Sequence, residues 1–583
     1  MSFRVRHIAF DRARVDDWAR NDEQHTNWPV VYVIDGARRR RTPALYVGET
    51  TSAHKRLRQH LASSKTQEGL ESIRVVIDDT YNKSVCLDLE SHLIRWFHGD
   101  GRFHILNGND GLTDARYYDR EIYRESFRDV FEALRAEGLF SRSIPQIENT
   151  DLFKLSPFKA LTDDQAIAVE DIIDGLLTDL QNPEARSTLV VQGDPGTGKT
   201  IIAIFLMKLL VDIRDFDDHD DIEPNSMFAE LFTPENRDLL SELKMALVIP
   251  QQSLRESVRK VFKKTPRLDP KMVLTPFQVG ESDAVYDLIL VDETHRLNQR
   301  ANQASGVQNK KFGVINERLF GTDDPRYTQL DWVKARSRHR LLLVDGAQSV
   351  RPHDLSPVVL AAELAAARNS HRHYPLTTQM RVKAGSDYVE YIRGLLRGES
   401  PQRPDLGDYD LRFFDDLSEM RRAIRERDAE VGLSRLVAGY AWDWKSHPKR
   451  DPSAFDIEID GERLRWNSTD KDWINSAGSL EEVGSIHTVQ GYDLNYAGVI
   501  IGPDLRLSES GEIVADREAY RDKKGKEDTG HLKGAFSDDD LLVFIRNIYG
   551  VLLTRGMLGT YVYVCDSRLR IVFRELLAHP GRI

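Results

Sequence analysis

Cysteine is almost missing from the 583 residues. Only Cys86 and Cys565 occur, which excludes a disulfide framework or a cysteine-rich zinc site and suits a reducing compartment. No uninterrupted apolar run reaches the ~18 residues of a membrane helix, and Met1 to His7 lack the long apolar core of a signal peptide. The expectation is a cytoplasmic protein with no membrane partner. Bulk positive charge is lacking too: 81 Lys and Arg stand against 93 Asp and Glu, a net charge of −12. Any nucleic-acid contact must therefore come from local basic stripes. The length allows about three or four domains, each able to bury a core.

What is present is a complete phosphate-binding pattern. Residues 193–200, GDPGTGKT, fill G-x-x-x-x-G-K-[ST] without a mismatch. The β-branched run from Ser187 to Gln192 precedes it and the apolar stretch from Ile201 to Leu210 follows, so strand, glycine loop and helix come in the required order. Gly193, Pro195, Gly196, Thr197 and Gly198 form a loop whose backbone N–H groups converge on phosphate oxygens. Lys199 reaches the β/γ-phosphates, and Thr200 offers its hydroxyl to Mg²⁺. The run from Asp287 to Glu293 ends an apolar strand in two carboxylates. Asp292 there holds Mg²⁺ through water, and Glu293 is the general base for the attacking water.

Further motifs follow in order, and together they resemble superfamily 1 helicases. By that resemblance Gln165, in the first turn of a helix that Thr162 can cap, reads the adenine edge. The strand ending at Asp345 leads to Gln348, which senses the γ-phosphate. Arg381 and Arg555 reach that phosphate from a second lobe, and Thr488, Gln490 and Gly491 form a turn between nucleotide and strand. A basic helix carrying Arg255, Arg259, Lys260, Lys263 and Lys264 either tracks nucleic-acid phosphates or is a solvated face. Trp442 and Trp444 stack on a base or fill a core edge, the core being favoured. Residues 506–537 read as a mobile insertion. Within the superfamily, Gln379-Met380-Arg381, Val489-Gln490-Gly491 and the run from Val551 to Gly556 most resemble the Schlafen-related bacterial ATPases.

The N-terminal part reads differently. After a charged lead-in, strands are expected at 28–34, 44–48 and 73–77, with an exposed turn at Asp35-Gly36 and Arg38 to Arg41. Helices are expected at 52–60, placing Arg56 and His60 on one polar face, and at 84–97, carrying Glu90. Val31-Tyr32-Val33, Tyr46-Val47-Gly48, Arg56, Glu90 and Asn107 resemble the GIY-YIG endonuclease family, with a valine in place of the first glycine. The resemblance implies that Tyr32 and Tyr46 activate the attacking group, Arg56 steadies the phosphate, and Glu90 holds a divalent metal, Mg²⁺ or Mn²⁺. His60 joins them as a site candidate.

The expected fold class is α/β: a small α+β GIY-YIG-type nuclease domain at 1–140, a linker at 141–158, and two RecA-like parallel-sheet lobes at 159–365 and 366–583. The function expected is an ATP- and Mg²⁺-dependent nucleic-acid translocase coupled to a metal-dependent endonuclease. DNA is the expected track rather than RNA, and such fusions resemble bacterial antiphage factors. A defence-system protein or a second copy of the chain is a further expected partner. Two other readings stay open: an ATP-switched sensor that gates the nuclease without travelling, and an N-terminal domain that only binds.

Overall fold

Alternation in two neighbouring strands builds the N-terminal region. In β2 (Val30–Gly36) and β3 (Ala44–Thr50), Val31, Val33, Leu45 and Val47 point into one apolar cluster, and Val30, Tyr32, Ile34 and Tyr46 into another. Successive side chains on a strand face opposite sides, so both faces of this sheet must be covered. The helix Lys83–Asp100 contributes Cys86, Leu89, Leu93 and Phe97 to the first cluster, and the helix Ala53–Ala62 contributes Leu57 to the second.

The computed structural model describes residues 3–36, 42–62, 69–107, 117–159, 161–216, 227–300, 303, 305–345, 354–447, 450–469, 473–489, 493–522 and 537–578. Two units compose the fold. One holds Met1–Gln181, Ile201–Leu243 and Ser257–Met272; the other holds Asn182–Thr200, Lys244–Glu256 and Val273–Ile583.

The first unit carries a five-stranded sheet in the order β1-β4-β2-β3-β5, with β1 at Arg4–Ala9, β4 at Leu70–Ile77 and β5 at His104–Ile105. The charged lead-in is thus an edge strand, paired antiparallel to β4, where charged side chains discourage further pairing. The exposed turn expected at Asp35-Gly36 with Arg38 to Arg41 is corrected in its first part, and Arg38 to Arg41 lie outside the described residues. β2 continues through Gly36, and Asp35 is buried against the guanidinium of Arg74. The expected linker is helical at Ile144–Glu148 and Asp151–Lys154. Ile147, Phe153 and Phe158 pack into the core beside Phe97 and Phe140.

The second unit holds two sheets. The first runs β11-β6-β10-β9-β7-β8 and is parallel throughout. Its strands are β6 (Ser187–Gly193), β7 (Met245–Val248), β8 (Val273–Leu274), β9 (Tyr286–Val291), β10 (Ser337–Val344) and β11 (His373–Leu376). The first lobe's sheet therefore extends past the expected boundary at residue 365. The other sheet runs β12-β20-β17-β13-β16-β15-β14. Its strands are β12 (Asp410–Phe413), β13 (Ser434–Ala438), β14 (Ile457–Ile459), β15 (Glu462–Trp466), β16 (Glu482–Ser485), β17 (Leu494–Ile501) and β20 (Gly556–Val564). Only β14 is antiparallel to its neighbour. β17 is buried along its whole length, as a parallel strand covered on both faces should be. Part of the expected mobile insertion is a hairpin of β18 (Leu505–Leu507) and β19 (Ile513–Ala515), and Tyr520 beyond it is buried in the lobe core.

In the first unit His98 is fully enclosed. Nδ1 lies 2.9 Å from the Leu152 carbonyl, which can only accept, so Nδ1 carries the proton, and Nε2 lies 3.2 Å from Thr265 Oγ1. Burial pulls its pKa down to about 4, with the Lys208 and Lys264 charges adding to the effect and the Leu152 bond opposing it. The unfolded chain binds this proton near pH 6.5 and the folded one only near 4. Stability is thus complete above pH 6.5 and lost as pH falls towards 4, by about 3 kcal/mol. Melting curves from pH 7 to 4 should show a shallower acid loss in His98→Gln than in the parent, even if the variant starts lower. Parallel curves would contradict this account.

Candidate functional site

The turn after β6 requires glycine. Gly196 and Gly198 adopt φ of +90° and +81°, which side chains rarely tolerate. A Cβ on Gly196 would also overlap Gln379 Oε1 and come within 2.7 Å of Arg381 Cβ. The loop thus serves both its own turn and the close approach of residues 379–381. Gln379 Nε2 donates to Pro195 O at 2.8 Å, and Met380 N donates to Gly196 O at 2.9 Å. Thr197 Oγ1 closes the loop on Asp194 O at 2.9 Å.

Lys199 is buried. Nζ donates to Gly193 O at 2.6 Å and Asp194 O at 2.9 Å, and lies 3.5 Å from Asp345 Oδ2. Thr200 Oγ1 donates to Asp292 Oδ2 at 2.7 Å. A hydroxyl and a carboxylate in contact at the start of the helix Lys199–Arg214 form the oxygen donor set that suits Mg²⁺. The residues present therefore fit a nucleotide with its metal.

Glu293 follows Asp292 in the left-handed region, φ +50° and ψ +47°, a strain of roughly 1–3 kcal/mol for a non-glycine residue. Strain of this kind at a strand end directs a side chain. Burial pushes the Glu293 carboxyl up, but His295, Lys199 and Arg296 outweigh it and hold the group well below the usual carboxylate range. His295 Nε2 stands 3.0 Å from Glu293 Oε2, close enough for an ion pair though out of line for a hydrogen bond. Burial and the Glu293 charge push Asp292 the other way, up to about 6. A divalent cation at Thr200 and Asp292 would draw it back down.

Both expected arginines belong to this unit, Arg381 a few residues after β11 and Arg555 just before β20. Arg381 Nε pairs with Asp493. Arg555 is buried, and its pKa falls to about 9 through burial and the Arg381 charge, with Asp493 and Glu293 acting in the opposite sense. Arg381, Arg555, Asp493 and Glu293 thus share one field. Sequence reasoning missed Asp493, His295 and a bidentate pair from Arg393 to Asp194 at 2.9 and 3.2 Å. For His295 the signal was adjacency to the carboxylates; for Asp493 and Arg393 there was none.

Other expected residues make local contacts. Gln165 is buried in the first unit, and its Oε1 accepts from Thr162 N at 3.1 Å as half of a capping box. Thr488 Oγ1 bonds Ser485 O at 2.9 Å. Gln348, Gln490 and Gly491 lie outside the described residues. In the basic helix, Arg255 turns back on Ile249 O and Pro250 O at 2.8 and 3.1 Å, and Lys264 donates to Gly101 O at 2.9 Å. Trp442 and Trp444 pack against the apolar core of the second sheet.

The first unit holds the other cluster. Tyr32 OH lies 2.7 Å from His60 Nε2, and the Tyr46 and His60 rings are 4.8 Å apart. Burial, with Tyr46 and Glu90 adding to it, pushes the Tyr32 phenol well up, and Arg56 opposes this. All five expected nuclease residues are thus electrostatically or sterically joined. Asn107 plays a scaffold part, pairing with Val47 N and O at 3.1 and 2.8 Å. Glu90 is buried on the helix Lys83–Asp100. Among the described residues no group of three or more His, Cys, Asp or Glu is placed to hold a metal ion, so a metal here would rest on Glu90 with water and substrate. Among these residues, too, no helix is long and apolar enough to cross a membrane.

Comparison with known proteins bears on the second unit above all. The uncharacterized protein YPL245W of Saccharomyces cerevisiae is 26% identical over 431 residues, which cover 67% of this chain and 84% of that protein. Among solved structures, the Pif1 helicase from Candida albicans is 12% identical, covers 72% of this chain and all of its own, and has a TM-score of 0.26. A Bacteroides Pif1 helicase in complex with ADP-AlF3 and ssDNA is 10% identical, over 69% of this chain and 93% of its own, at a TM-score of 0.25. At such scores the folds share too little for function to pass between them. The family model described as Schlafen group 3, DNA/RNA helicase domain, matches residues 186–566, and the chain belongs to that family.

Proposed function

We propose that this chain hydrolyses ATP at the loop 193–200 to drive movement along DNA, and that its N-terminal sheet cleaves phosphodiester bonds with a divalent metal. The observation that carries the reading is the contact of Thr200 with Asp292, with a strained, ionised Glu293 beside it. Lys199 leaves the loop carbonyls for the β- and γ-phosphate oxygens. Glu293 orients the attacking water and takes its proton. Arg381 and Arg555 meet the charge that develops on the transferred phosphoryl group, and phosphoryl transfer is mostly a matter of such positioning and charge. Mg²⁺ held through Thr200 and Asp292 would neutralise the β/γ-oxygens. Because both arginines come from the far lobe, hydrolysis and lobe closure are one event, which is what a motor needs.

In the N-terminal cluster, His60 holds the Tyr32 phenol and Arg56 steadies the phosphate. Glu90 would hold the metal whose charge activates the attacking group. Pairing a motor with a nuclease suits defence against foreign DNA.

Two outcomes test this. A plasmid and a single-stranded oligonucleotide, each with and without ATP and Mg²⁺, should show ATP turnover raised by the single strand and plasmid cleavage that needs metal. Cleavage that needs ATP but no strand displacement would favour the switched sensor; no cleavage under any condition would leave the N-terminal domain as a binder. Glu293→Gln should cut ATP turnover by about 10²–10⁴ while nucleotide still binds. Glu90→Ala should abolish cleavage and spare turnover, and cleavage equal to the parent's would remove Glu90 from the metal site.

A further inference from the structure

Arg296 closes the turn Thr294–Arg296 that follows the paired carboxylates. Its N–H donates to Glu293 O at 2.8 Å, so its backbone is tied to that of the candidate base. The side chain is only 8% exposed, and Nη1 donates to Asp354 Oδ2 at 3.0 Å. Asp354 is itself fixed by a strand bridge to Asn298. Nε and Nη2 have no hydrogen-bond partner among the described residues.

Those two nitrogens form one edge of the guanidinium. Their N–H groups run nearly parallel, the fork that takes two oxygens of a carboxylate or phosphate. A buried fork held in place by one ion pair, with no hydrogen-bond partner on its other edge among the described residues, is costly unless an oxyanion meets it in some working state. Its charge acts on both Glu293 and Arg555, so the fork shares the field of the groups assigned to the terminal phosphate. Lys199 contacts two loop carbonyls and Asp345, and Arg381 Nε is taken by Asp493.

We propose that the Nε–Nη2 edge of Arg296 binds the terminal phosphate of a nucleoside triphosphate, a fourth cationic contact beside Lys199, Arg381 and Arg555. The inference rests on the nucleotide reading of the loop 193–200 and adds to it a means of telling tri- from diphosphate. A backbone phosphate of nucleic acid has the same oxygens, but the nearness of Glu293 and Arg555 favours the nucleotide.

The test uses the full chain with Mg²⁺ and measures affinity for ADP and for the non-hydrolysable analogue AMP-PNP. Arg296→Ala should lose about tenfold or more in AMP-PNP affinity and leave ADP within about twofold. Arg296→Lys keeps the charge and the reach to Asp354 but lacks the fork; it should show the same selective loss, and it serves if the alanine variant fails to fold. Equal loss for both nucleotides, or no loss in either variant, would overturn the inference. So would unchanged nucleotide affinity with weaker binding of a single-stranded oligonucleotide in the absence of nucleotide, since the fork would then serve the track. If the parent bound neither nucleotide, the loop reading itself would fall, a result distinct from failure of Arg296 alone.

Discussion

The hydrogen bond from Thr200 to Asp292 holds the candidate nucleotide site together. The two residues are 92 positions apart and stand beyond the ends of β6 and β9, which flank β10. Parallel pairing brings all three strand ends to one edge of the sheet, where ligands of open α/β sheets bind. β6 delivers Lys199 and Thr200, β9 delivers Asp292 and Glu293, and β10 delivers Asp345 to pair with Lys199. So many buried charges are tolerable only because each has a partner of opposite sign or a hydrogen bond. Glu293 has His295, Arg381 has Asp493 and Arg296 has Asp354.

The glycine loop was fully legible in the sequence because backbone sterics dictate it. Positive φ and close approach at Gly196 admit no other residue, so chemistry and spelling coincide there. The paired carboxylates were legible for a similar reason, a buried strand ending in charge. Arg381 and Arg555 were legible only through resemblance, since nothing local marks an arginine whose partner, Asp493, lies 112 residues away from Arg381. Arg296 was within reach, being three residues from Glu293, yet it reads as an ordinary charge until its burial is known.

Ambiguity arises where one residue pattern serves two structures. The stretch 141–158 is expected as a linker, but Pro145 in the first turn behind a Ser143–Gln146 capping box starts a helix. Gln165 fits an adenine contact and equally a capping box, and the described bond is the box. The basic helix 252–264 looks like a phosphate track, yet Arg255 and Lys264 bond backbone carbonyls. In the first unit the apolar pattern placed strands at 28–34, 44–48 and 73–77, and the meeting of Tyr32 and Tyr46 with His60 is visible only in the structure. It did not show that β1 extends the sheet, because an exposed edge strand has no apolar period.

If one hydrolytic site is completed from both sheets of the second unit, Arg555 must act on the reaction itself. The most direct measurement is single-turnover ATP hydrolysis by Arg555→Ala beside nucleotide affinity in the same variant. The rate should fall by about 10³ or more, with affinity changed only a few-fold. Hydrolysis at the parent's rate would contradict it.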